Sequence, residues 1–428
     1  MTMTIPLMLK IILSLALILV LNKIVRNLAI SVAAGALLIA FWSGQTIVTA
    51  GVIASKRMLS FDNFALLLLI ALVITLSNQM NQTGMMKQLV GGLKARVSQK
   101  EALAALPAVI GLLPMPGGAL FSAPLLDDCD DRGELSPMQK TKINYWFRHV
   151  WEFTWPLYPG VILASDIAHV EVWQIFFLGL PLSLVSITVG YLFYLRPLKL
   201  TAERRESNSK SNGPSLVSLL APIMIVVVIY FLIMVFLPAV GTLSKYLPMI
   251  IGLLSSILYL QIISPLTRKE WKKIALSHRT LQMVLIVLVV RVYGAFIEAP
   301  LPNGILLMEQ LRLELTAAGV PLRLLVLLIP FISGMTTGVS VGFVGACFPI
   351  VFSLLGPSPT LASTLSTLAL AYPFGFMGTM MSPVHVCLIV TNEHYGTNLG
   401  PSIGAVIPPA IFVMAGSLLI SYIVPFIV

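Results

Sequence analysis

The chain alternates between long apolar segments and short polar ones. Long apolar runs are typical of transmembrane helices, which need about 20 such residues to cross the hydrocarbon core of a bilayer. The runs of suitable length cover residues 7–22, 28–54, 62–80, 141–166, 171–195, 215–237, 244–264, 281–299, 360–391 and 402–428. This pattern predicts an all-α polytopic membrane protein with about ten transmembrane helices.

Two further apolar stretches, 102–126 and 322–355, contain proline and glycine near their middle. A straight helix is interrupted by such residues, because proline lacks a backbone donor and clashes with the preceding turn. A re-entrant hairpin, which enters and leaves the membrane on one side, accommodates the interruption. We therefore predict two re-entrant hairpins in addition to the spans.

The composition agrees with a membrane protein. Of 428 residues, 57% are hydrophobic and 10% are charged, against about 25% charged residues in soluble domains. The mean hydropathy of +0.95 and this shortage of charge exclude a soluble enzyme. The three cysteines have neither disulfide-framework nor zinc-ligand spacing. No metal centre or organic cofactor is predicted, and the first span is no signal peptide, because it lacks a small-residue cleavage site and another span follows at once.

The positive residues predict the orientation. Lysine and arginine together number 27 against 17 acidic residues, a net charge of +10. With both hairpins re-entrant, most basic residues fall in the loops on one side, and basic loops face the cytoplasm. This orientation places both termini outside. The positive charge is thus explained by the bilayer, and no nucleic-acid partner is expected.

The order of elements repeats in the two halves of the chain. Residues 1–195 and 215–428 each contain spans, an amphipathic stretch, a hairpin, a span with polar interruptions and a final span, and the polar segment 196–214 links them. Gly111 and Gly334 occupy matching places in the hairpins. Five spans in each half is an odd number, so the second repeat is predicted to be inverted across the membrane. Inverted repeats with interrupted helices are typical of secondary transporters.

The hairpin tips are the strongest candidate binding elements, since they expose backbone polar groups at membrane depth. The first tip has the sequence Pro-Met-Pro-Gly-Gly at 114–118, and the second lies within 333–342. The candidate residues are Pro116, Gly117, Gly118 and Ser122 at the first tip, and Thr336, Thr337, Gly338 and Ser340 at the second. The alternative is structural: a tight turn at the first tip, and close helix packing through glycines spaced four apart at the second. A G-x-S-x-G match at 338–342 lacks the strand-to-helix context of a catalytic serine.

The spans 141–166 and 360–391, which follow the hairpins, are predicted to be broken helices. Internal prolines and glycines interrupt both. The candidate polar residues are Thr154 and Tyr158 in the first break, and Thr379, Ser382 and His385 in the second. Helix ends at such breaks present partial charges to an anion or a cation. His385 is a candidate for titration, with a hydrogen-bonded packing role as the alternative.

Three charged residues within or near spans are candidate charge partners. Arg148 and Glu152 are four apart at the start of the first broken span, where an interfacial anchor is the alternative interpretation. Arg291 lies centrally in the span 281–299 and is suited to pair with a substrate anion or another protein group. The acidic stretch within 127–142 lacks the spacing of an EF-hand and is predicted to be a solvated loop.

Two opposed hairpins, each followed by a broken helix, resemble the ion transporter superfamily, which includes divalent anion–sodium symporters, arsenite and gluconate permeases and the membrane subunits of TRAP carriers. The segments GLLPMPGGALFSAPLLD and FGFMGTMMSPVHVCLIVTNEHY are similar to a prokaryotic family catalogued as domain of unknown function 401. The resemblance implies a homodimer in the inner membrane, with a transport domain that moves as an elevator. The Ser-Asn-Thr motifs that bind sodium and carboxylate in the symporters are missing here, since neither tip contains asparagine.

These features favour a secondary active transporter of a small organic anion of the carboxylate type, coupled to Na⁺ or H⁺. The expected partners are that anion and the lipid bilayer. A cation–proton antiporter is the alternative, although neither the tips nor the second break contains a carboxylate. A membrane-embedded enzyme is disfavoured, because no nucleophile–base or metal cluster is apparent. The direction of transport and the substrate are open.

Overall fold

The computed structural model describes residues 6–94, 97–112, 118–130, 132–200, 216–275, 277–319 and 321–428. In the first half of this part of the chain the helices are α1 (Leu7–Val25), α2 (Leu28–Trp42), α3 (Ile47–Met58), α4 (Phe61–Gln82), α5 (Met85–Lys94), α6 (Gln99–Gly111), α7 (Ala119–Asp127), α8 (Pro137–Phe147), α9 (Pro159–Ile167) and α10 (Val172–Gly190). A π-helical turn, Tyr191–Leu195, extends α10.

In the second half the helices are α11 (Leu216–Phe236), α12 (Pro238–Leu243), α13 (Leu247–Ile263), α14 (Arg268–Ala275), α15 (His278–Glu298), α16 (Leu307–Ala317), α17 (Leu322–Thr337), α18 (Ser340–Ser353), α19 (Leu361–Met380), α20 (Val386–Tyr395) and α21 (Leu399–Ile423). Among the described residues the one β-type contact is an isolated bridge between Pro300 and Leu306. The prediction of an all-α protein is confirmed.

Several helices have the length and apolar composition of membrane spans. The segments long enough to cross are Phe61–Gln82, Val172–Leu195, Val217–Phe236, Arg268–Glu298 and Leu399–Phe426. Leu28–Trp42, Leu247–Ile263, Leu322–Thr337 and Ser340–Ser353 are shorter apolar helices. Large apolar side chains such as Val217, Leu258 and Phe412 are exposed on these helices, as a lipid-facing surface requires. The count of about ten crossings and the inverted repeat remain predictions.

The predicted span 28–54 is wrong as a single helix, because the chain breaks between α2 and α3. Gly44 adopts a left-handed backbone conformation with φ of +84°, which a continuing helix does not allow. Thr46 then caps α3 in a reciprocal arrangement with Thr49, in which each side chain bonds the other residue's backbone N–H. The sequence contains this capping signal, which predicts a new helix start. The long apolar run around it is the stronger signal and predicts one continuous span.

Each interrupted apolar stretch contains a pair of helices. Residues 102–126 hold most of α6 and all of α7, and 322–355 hold α17 and α18. At the second tip Gly338 takes the left-handed conformation, with φ of +67°, that ends α17. The candidates Pro116 and Gly117 of the first tip lie outside the described residues. Proline is tolerated inside α6 and α17, at Pro107 and Pro330.

The two spans that follow the hairpins are divided by irregular segments. Residues 148–158 separate α8 from α9, and 381–385 separate α19 from α20. Pro159 is the first residue of α9, a position where its missing N–H leaves no helical bond unmade. Within the predicted broken span 360–391 the interruption begins only at 381, because α19 accommodates Pro373 and continues to Met380.

Backbone-to-backbone packing at glycine fixes the second hairpin against its neighbour. A Cβ at Gly334 in α17 would overlap the Gly375 carbonyl of α19, and a Cβ at Gly378 in α19 would overlap the Phe331 carbonyl of α17. The first hairpin uses the same device, since Gly111 lies against the Arg148 carbonyl. These contacts agree with the packing interpretation of Gly334, with α19 as the partner helix.

We expect Gly334→Ala to destabilise the protein by about 1–3 kcal/mol, because the new methyl group meets backbone, which cannot rotate away. Gly404→Ala is the matched control, since nothing lies within 4 Å of the corresponding Cβ position in α21. Thermal unfolding of the purified protein in detergent measures both. Equal melting temperatures for the two variants would contradict this packing.

Candidate functional site

A buried polar cluster lies where the two interrupted helices meet. Its side chains come from the first irregular segment and from the start of α20: Arg148, His149, Glu152, His385 and Cys387, each less than 9% exposed. The glycines and prolines of the two spans interrupt their helices. At each break the irregular backbone lets side chains turn inward between helices, and the polar groups gather there. Burial of Arg148 and Glu152 within the protein favours the charge-partner interpretation over an exposed interfacial anchor.

The two histidines of this cluster face each other. His385 Nε2 lies 3.3 Å from His149 Nε2, and the two ring centroids are 5.1 Å apart. His149 Nδ1 is 2.6 Å from the Tyr145 carbonyl oxygen, and His385 Nδ1 is 2.7 Å from the Gly338 carbonyl oxygen. A carbonyl oxygen can only accept, so each Nδ1 carries a proton and donates it. The remaining ring nitrogens, the two Nε2 atoms, therefore point towards each other.

An acid, a thiol and a phenol complete the cluster. Glu152 Oε1 lies 4.0 Å from His149 Nε2. The sulfur of Cys387 and the ligand nitrogens of the two histidines all lie within 4.8 Å of one another. Tyr145 packs its ring edge-on against both histidines and donates from its hydroxyl to the Met380 carbonyl oxygen at 2.8 Å. The site thus combines bases, an acid and a nucleophilic sulfur in a space shielded from solvent.

Arg148 connects the cluster to the first hairpin. Its guanidinium occupies the space where a Cβ of Gly118 would lie, so a larger residue at 118 would displace the arginine. The sequence suggested an i, i+4 pair of Arg148 with Glu152, but 148–158 is not α-helical and that spacing argument does not apply. The buried Arg148 guanidinium lies beside Gly118, the residue of the first tip that the structure describes.

The second tip is held by its own polar side chains and by the second break. Thr337 donates to the Ser333 carbonyl at 2.8 Å, and Ser382 donates to the Met335 carbonyl at 2.7 Å. Ser340 packs against Gly160, where a Cβ would come within 2.8 Å of the serine Cβ. Thr337, Ser340, Ser382 and His385 are therefore brought together around Gly338.

Other candidates from the sequence have local partners. Thr154 donates to the Phe176 carbonyl at 2.6 Å and fixes the first break to α10. Thr336 is half-buried and donates to the Ile332 carbonyl at 2.7 Å within α17. Thr379 donates to the Gly375 carbonyl within α19, and the Tyr158 hydroxyl donates to the Gly111 carbonyl. Ser122 is buried, and its hydroxyl has no hydrogen-bond partner in the described part of the chain.

Arg291 belongs to a different charged group. Its guanidinium lies 2.5 Å from Asp166 Oδ2, and Tyr246 donates to the other carboxylate oxygen. Lys245 Nζ is 4.0 Å from the same carboxylate. Asp166 lies in the last turn of α9, and Arg291 lies in α15. The pair therefore joins the second part of the broken helix to α15. The sequence prediction named Arg291 but missed Asp166, whose only signal was an acid in an apolar span.

Three members of the central cluster were also missed as site residues: His149, Tyr145 and Cys387. Cys387 was set aside because its neighbours in sequence do not form a ligand motif. The partner histidine, His149, comes from the other half of the chain. A spatial cluster of this kind leaves no fixed spacing in the sequence.

A second ionic group lies at the end of the first hairpin. Lys140 Nζ is 2.8 Å from Asp127 Oδ1 and 3.0 Å from Asp130 Oδ2, and His394 Nε2 is 2.7 Å from Asp127 Oδ2. Asp130 is buried and accepts from the backbone of Glu134 and Leu135. The prediction of a wholly solvated acidic loop is therefore wrong at Asp130, whose carboxylate orders the turn.

The architecture is that of a helical membrane protein with paired hairpins and interrupted helices around a buried polar site. The family model described as "Protein of unknown function (DUF401)" matches residues 8–424, so the chain belongs to that family, as its sequence segments suggested. No curated protein matches the sequence. The fold is similar to the YdaH transporter of Alcanivorax borkumensis, whose crystal structure has an unusual topology; identity is 13%, 87% of each chain is covered and the TM-score is 0.58.

We expect Asp166→Asn to lower the free energy of unfolding by about 3–5 kcal/mol, because it leaves the Arg291 charge buried without its carboxylate. The double variant Asp166→Asn/Arg291→Met is the control, since it removes the uncompensated charge and should recover part of the loss. Chemical or thermal unfolding in detergent measures both. An Asp166→Asn protein as stable as the wild type would show that the pair contributes nothing to the free energy of unfolding.

The Asp127 group predicts a pH dependence of stability. Burial acts to raise the pKa of the Asp127 carboxyl, but the hydrogen bonds and charges of Lys140 and His394 outweigh burial and hold this pKa below the usual 3.8. A carboxyl with a lowered folded-state pKa stabilises the protein above its unfolded-state pKa. That stabilisation is lost as the pH falls through the folded-state value.

Asp127→Asn should therefore lower the melting temperature at pH 6, and the difference from wild type should shrink as the pH falls below the usual 3.8 and through the lower folded-state pKa. The effect should stay below about 1 kcal/mol, because Asp127 is 39% exposed and solvent screens the charges. Glu393→Gln is the control on α20, the helix that carries His394; Glu393 is exposed and makes no ion pair within the described ranges. A difference that stays constant as the pH falls below 3.8 would assign the loss to packing.

Proposed function

We propose that this protein is a secondary active transporter of a small organic anion of the carboxylate type. The observation that carries the proposal is the buried guanidinium of Arg148, which lies against Gly118 at the first hairpin tip and next to the break between α8 and α9. A cation held at membrane depth beside irregular backbone is the arrangement expected of an anion pathway.

Arginine has the right chemistry for this role. Its planar guanidinium presents several donors in a fixed fork that matches two carboxylate oxygens, whereas lysine offers a single point charge. The absence of a side chain at Gly118 lets the guanidinium lie directly against the backbone of the first tip. Ser122, one turn further along α7, has a buried hydroxyl without a partner among the described residues and is a candidate second donor.

The second tip is the candidate element for ion coupling. Its carbonyl groups near Gly338 lie between Thr337 and the second break, and carbonyls at interrupted helices can coordinate Na⁺. Proton coupling is the other mode. The likeness of the fold to the YdaH transporter supports transport in general. The flux experiment described below is designed to identify the substrate, the coupling ion and the direction of transport.

An elevator movement is part of the proposal. The hairpins and broken helices α6–α9 and α17–α20 would move together as a transport domain. The helices α1–α4, α11, α13 and α15 would form a static scaffold that dimerises in a prokaryotic inner membrane, with both termini outside. The Asp166–Arg291 pair joins the two groups of helices, so we expect it to open and reform during a transport cycle.

A cation–proton antiporter is the second candidate, and Glu152 is the observation that favours it. The sequence showed no carboxylate in either tip or in the second break, yet the fold brings Glu152 within 4.0 Å of His149 in the central cluster. A buried carboxylate is the group that an antiporter needs to exchange a proton for a cation. Transport of a cation against a proton gradient without any anion would support this alternative.

The experiment is flux in liposomes that contain the purified protein. A panel of labelled mono- and dicarboxylates is tested with an imposed Na⁺ gradient, with an imposed proton gradient, and with neither. Uptake of an anion that one gradient drives would support the proposal and identify the coupling ion. Failure of every anion, together with cation-dependent proton release from the liposomes, would favour the antiporter.

Arg148→Gln should reduce anion flux by about 10–100-fold, as expected for losing a hydrogen bond to a charged group worth about 1.5–3 kcal/mol. Arg148→Lys should retain an intermediate flux, because charge remains but the fork is lost. Arg57→Gln is the control, since Arg57 pairs with the half-exposed Glu298 away from the cluster. Wild-type flux in a folded Arg148→Gln protein would remove Arg148 from the pathway.

A further inference from the structure

We infer that the buried cluster of His149, His385 and Cys387 is a binding site for a divalent transition metal ion of the zinc class. The three ligand atoms lie within 4.8 Å of one another, and all three residues are buried. This inference is independent of the transported substrate, because it depends on the geometry of the histidines and the thiol alone.

The tautomers of the two histidines are the first argument. Both Nδ1 atoms donate to backbone carbonyls, of Tyr145 and Gly338, so the Nε2 atoms are the nitrogens left to bind a cation. These two Nε2 atoms face each other across 3.3 Å. Two nitrogen lone pairs at this distance repel unless a proton or a metal ion lies between them, and metal-ligating histidines characteristically donate their other nitrogen to a carbonyl or carboxylate.

The distance is the second argument. A zinc ion about 2.0–2.1 Å from two imidazole nitrogens at a tetrahedral angle sets those nitrogens about 3.3–3.4 Å apart. The observed 3.3 Å separation of the Nε2 atoms matches this edge. Zinc–thiolate geometry calls for sulfur–nitrogen distances of about 3.6 Å, so the cluster contracts by no more than about 1.2 Å when the thiol binds.

The donor set is the third argument. Two imidazoles and a thiolate select borderline ions such as Zn²⁺ over Na⁺, Mg²⁺ or Ca²⁺, which prefer oxygen ligands. The Cys387 thiol gives up its proton to solvent when the metal–sulfur bond forms. Glu152, whose carboxylate oxygen lies 4.0 Å from His149 Nε2, is the candidate fourth ligand.

The position of the site indicates what the ion does. His149 belongs to the irregular segment between α8 and α9, whereas His385 and Cys387 belong to the start of α20. One ion would therefore join the two interrupted helices across the centre of the protein. His385 also holds the second tip through the Gly338 carbonyl, so we assign the ion a resident bridging role that fixes the tip beside the break.

Cobalt binding by the full-length protein tests this assignment. The protein is purified under reducing conditions, stripped with a chelator, and titrated with Co²⁺ alone. We expect one Co²⁺ per chain, the intense visible bands of a tetrahedral ion, a thiolate-to-cobalt charge-transfer band, and displacement by Zn²⁺. Wild-type protein that shows none of these bands would overturn the proposal.

Variants locate the site. Cys387→Ser should abolish the charge-transfer band, and His385→Gln should weaken Co²⁺ binding at least about tenfold, because a direct ligand matters no less than the outer-shell groups that cost 10–100-fold. Cys347→Ser is the matched control, since Cys347 is an equally buried thiol in α18 outside the cluster. An unchanged band in Cys387→Ser would overturn the assignment.

X-ray absorption on the unmodified zinc-loaded protein covers the case in which a variant does not fold. The expected first shell contains one sulfur at about 2.3 Å and nitrogen or oxygen ligands at about 2.0–2.1 Å. A shell of oxygen and nitrogen alone would show that zinc binds elsewhere and would also overturn the site.

Discussion

The organisation of this protein depends on how it satisfies backbone polar groups inside a membrane-embedded fold. Irregular backbone is tolerated at membrane depth only when protein or a water-filled cavity supplies the missing hydrogen bonds. Here each interrupted helix supplies side chains to the end of a hairpin helix. Tyr158 of the first break bonds the Gly111 carbonyl, and Ser382 of the second break bonds the Met335 carbonyl. The breaks therefore lie beside the hairpins and satisfy carbonyl groups at the hairpin ends.

The same requirement explains why the chemistry of the protein is concentrated in one place. His385 satisfies the Gly338 carbonyl with one ring nitrogen, which directs the other nitrogen towards His149. The break that carries His149 also carries Arg148 and Glu152. An anion beside Arg148 and a metal ion between the histidines would thus be neighbours, in a space where low dielectric makes each charge matter more than in water. The two proposals rest on different atoms of one cluster.

The charge pair of Asp166 and Arg291 has a different function in the architecture. It lies at the other end of the broken helix, where α9 meets α15, and Tyr246 shares the same carboxylate. Replacing such a pair by apolar residues is often neutral for stability, so the pair is weak evidence for stabilisation, and its structural effect is to join α9 to α15. In the proposed elevator movement this is the contact that would open and reform.

The sequence by itself determined the class of protein, the helical elements and the positions where helices are interrupted. These properties follow from local chemistry: apolar runs define helices of membrane length, and proline and glycine mark where they end. It failed where two local signals competed, as at Gly44, where a capped turn divides an apolar run. The tertiary structure alone decided which polar residues meet. Arg291 finds Asp166, and Cys387 finds His149, because contacts between distant segments depend on packing geometry, and packing leaves no spacing rule in the chain.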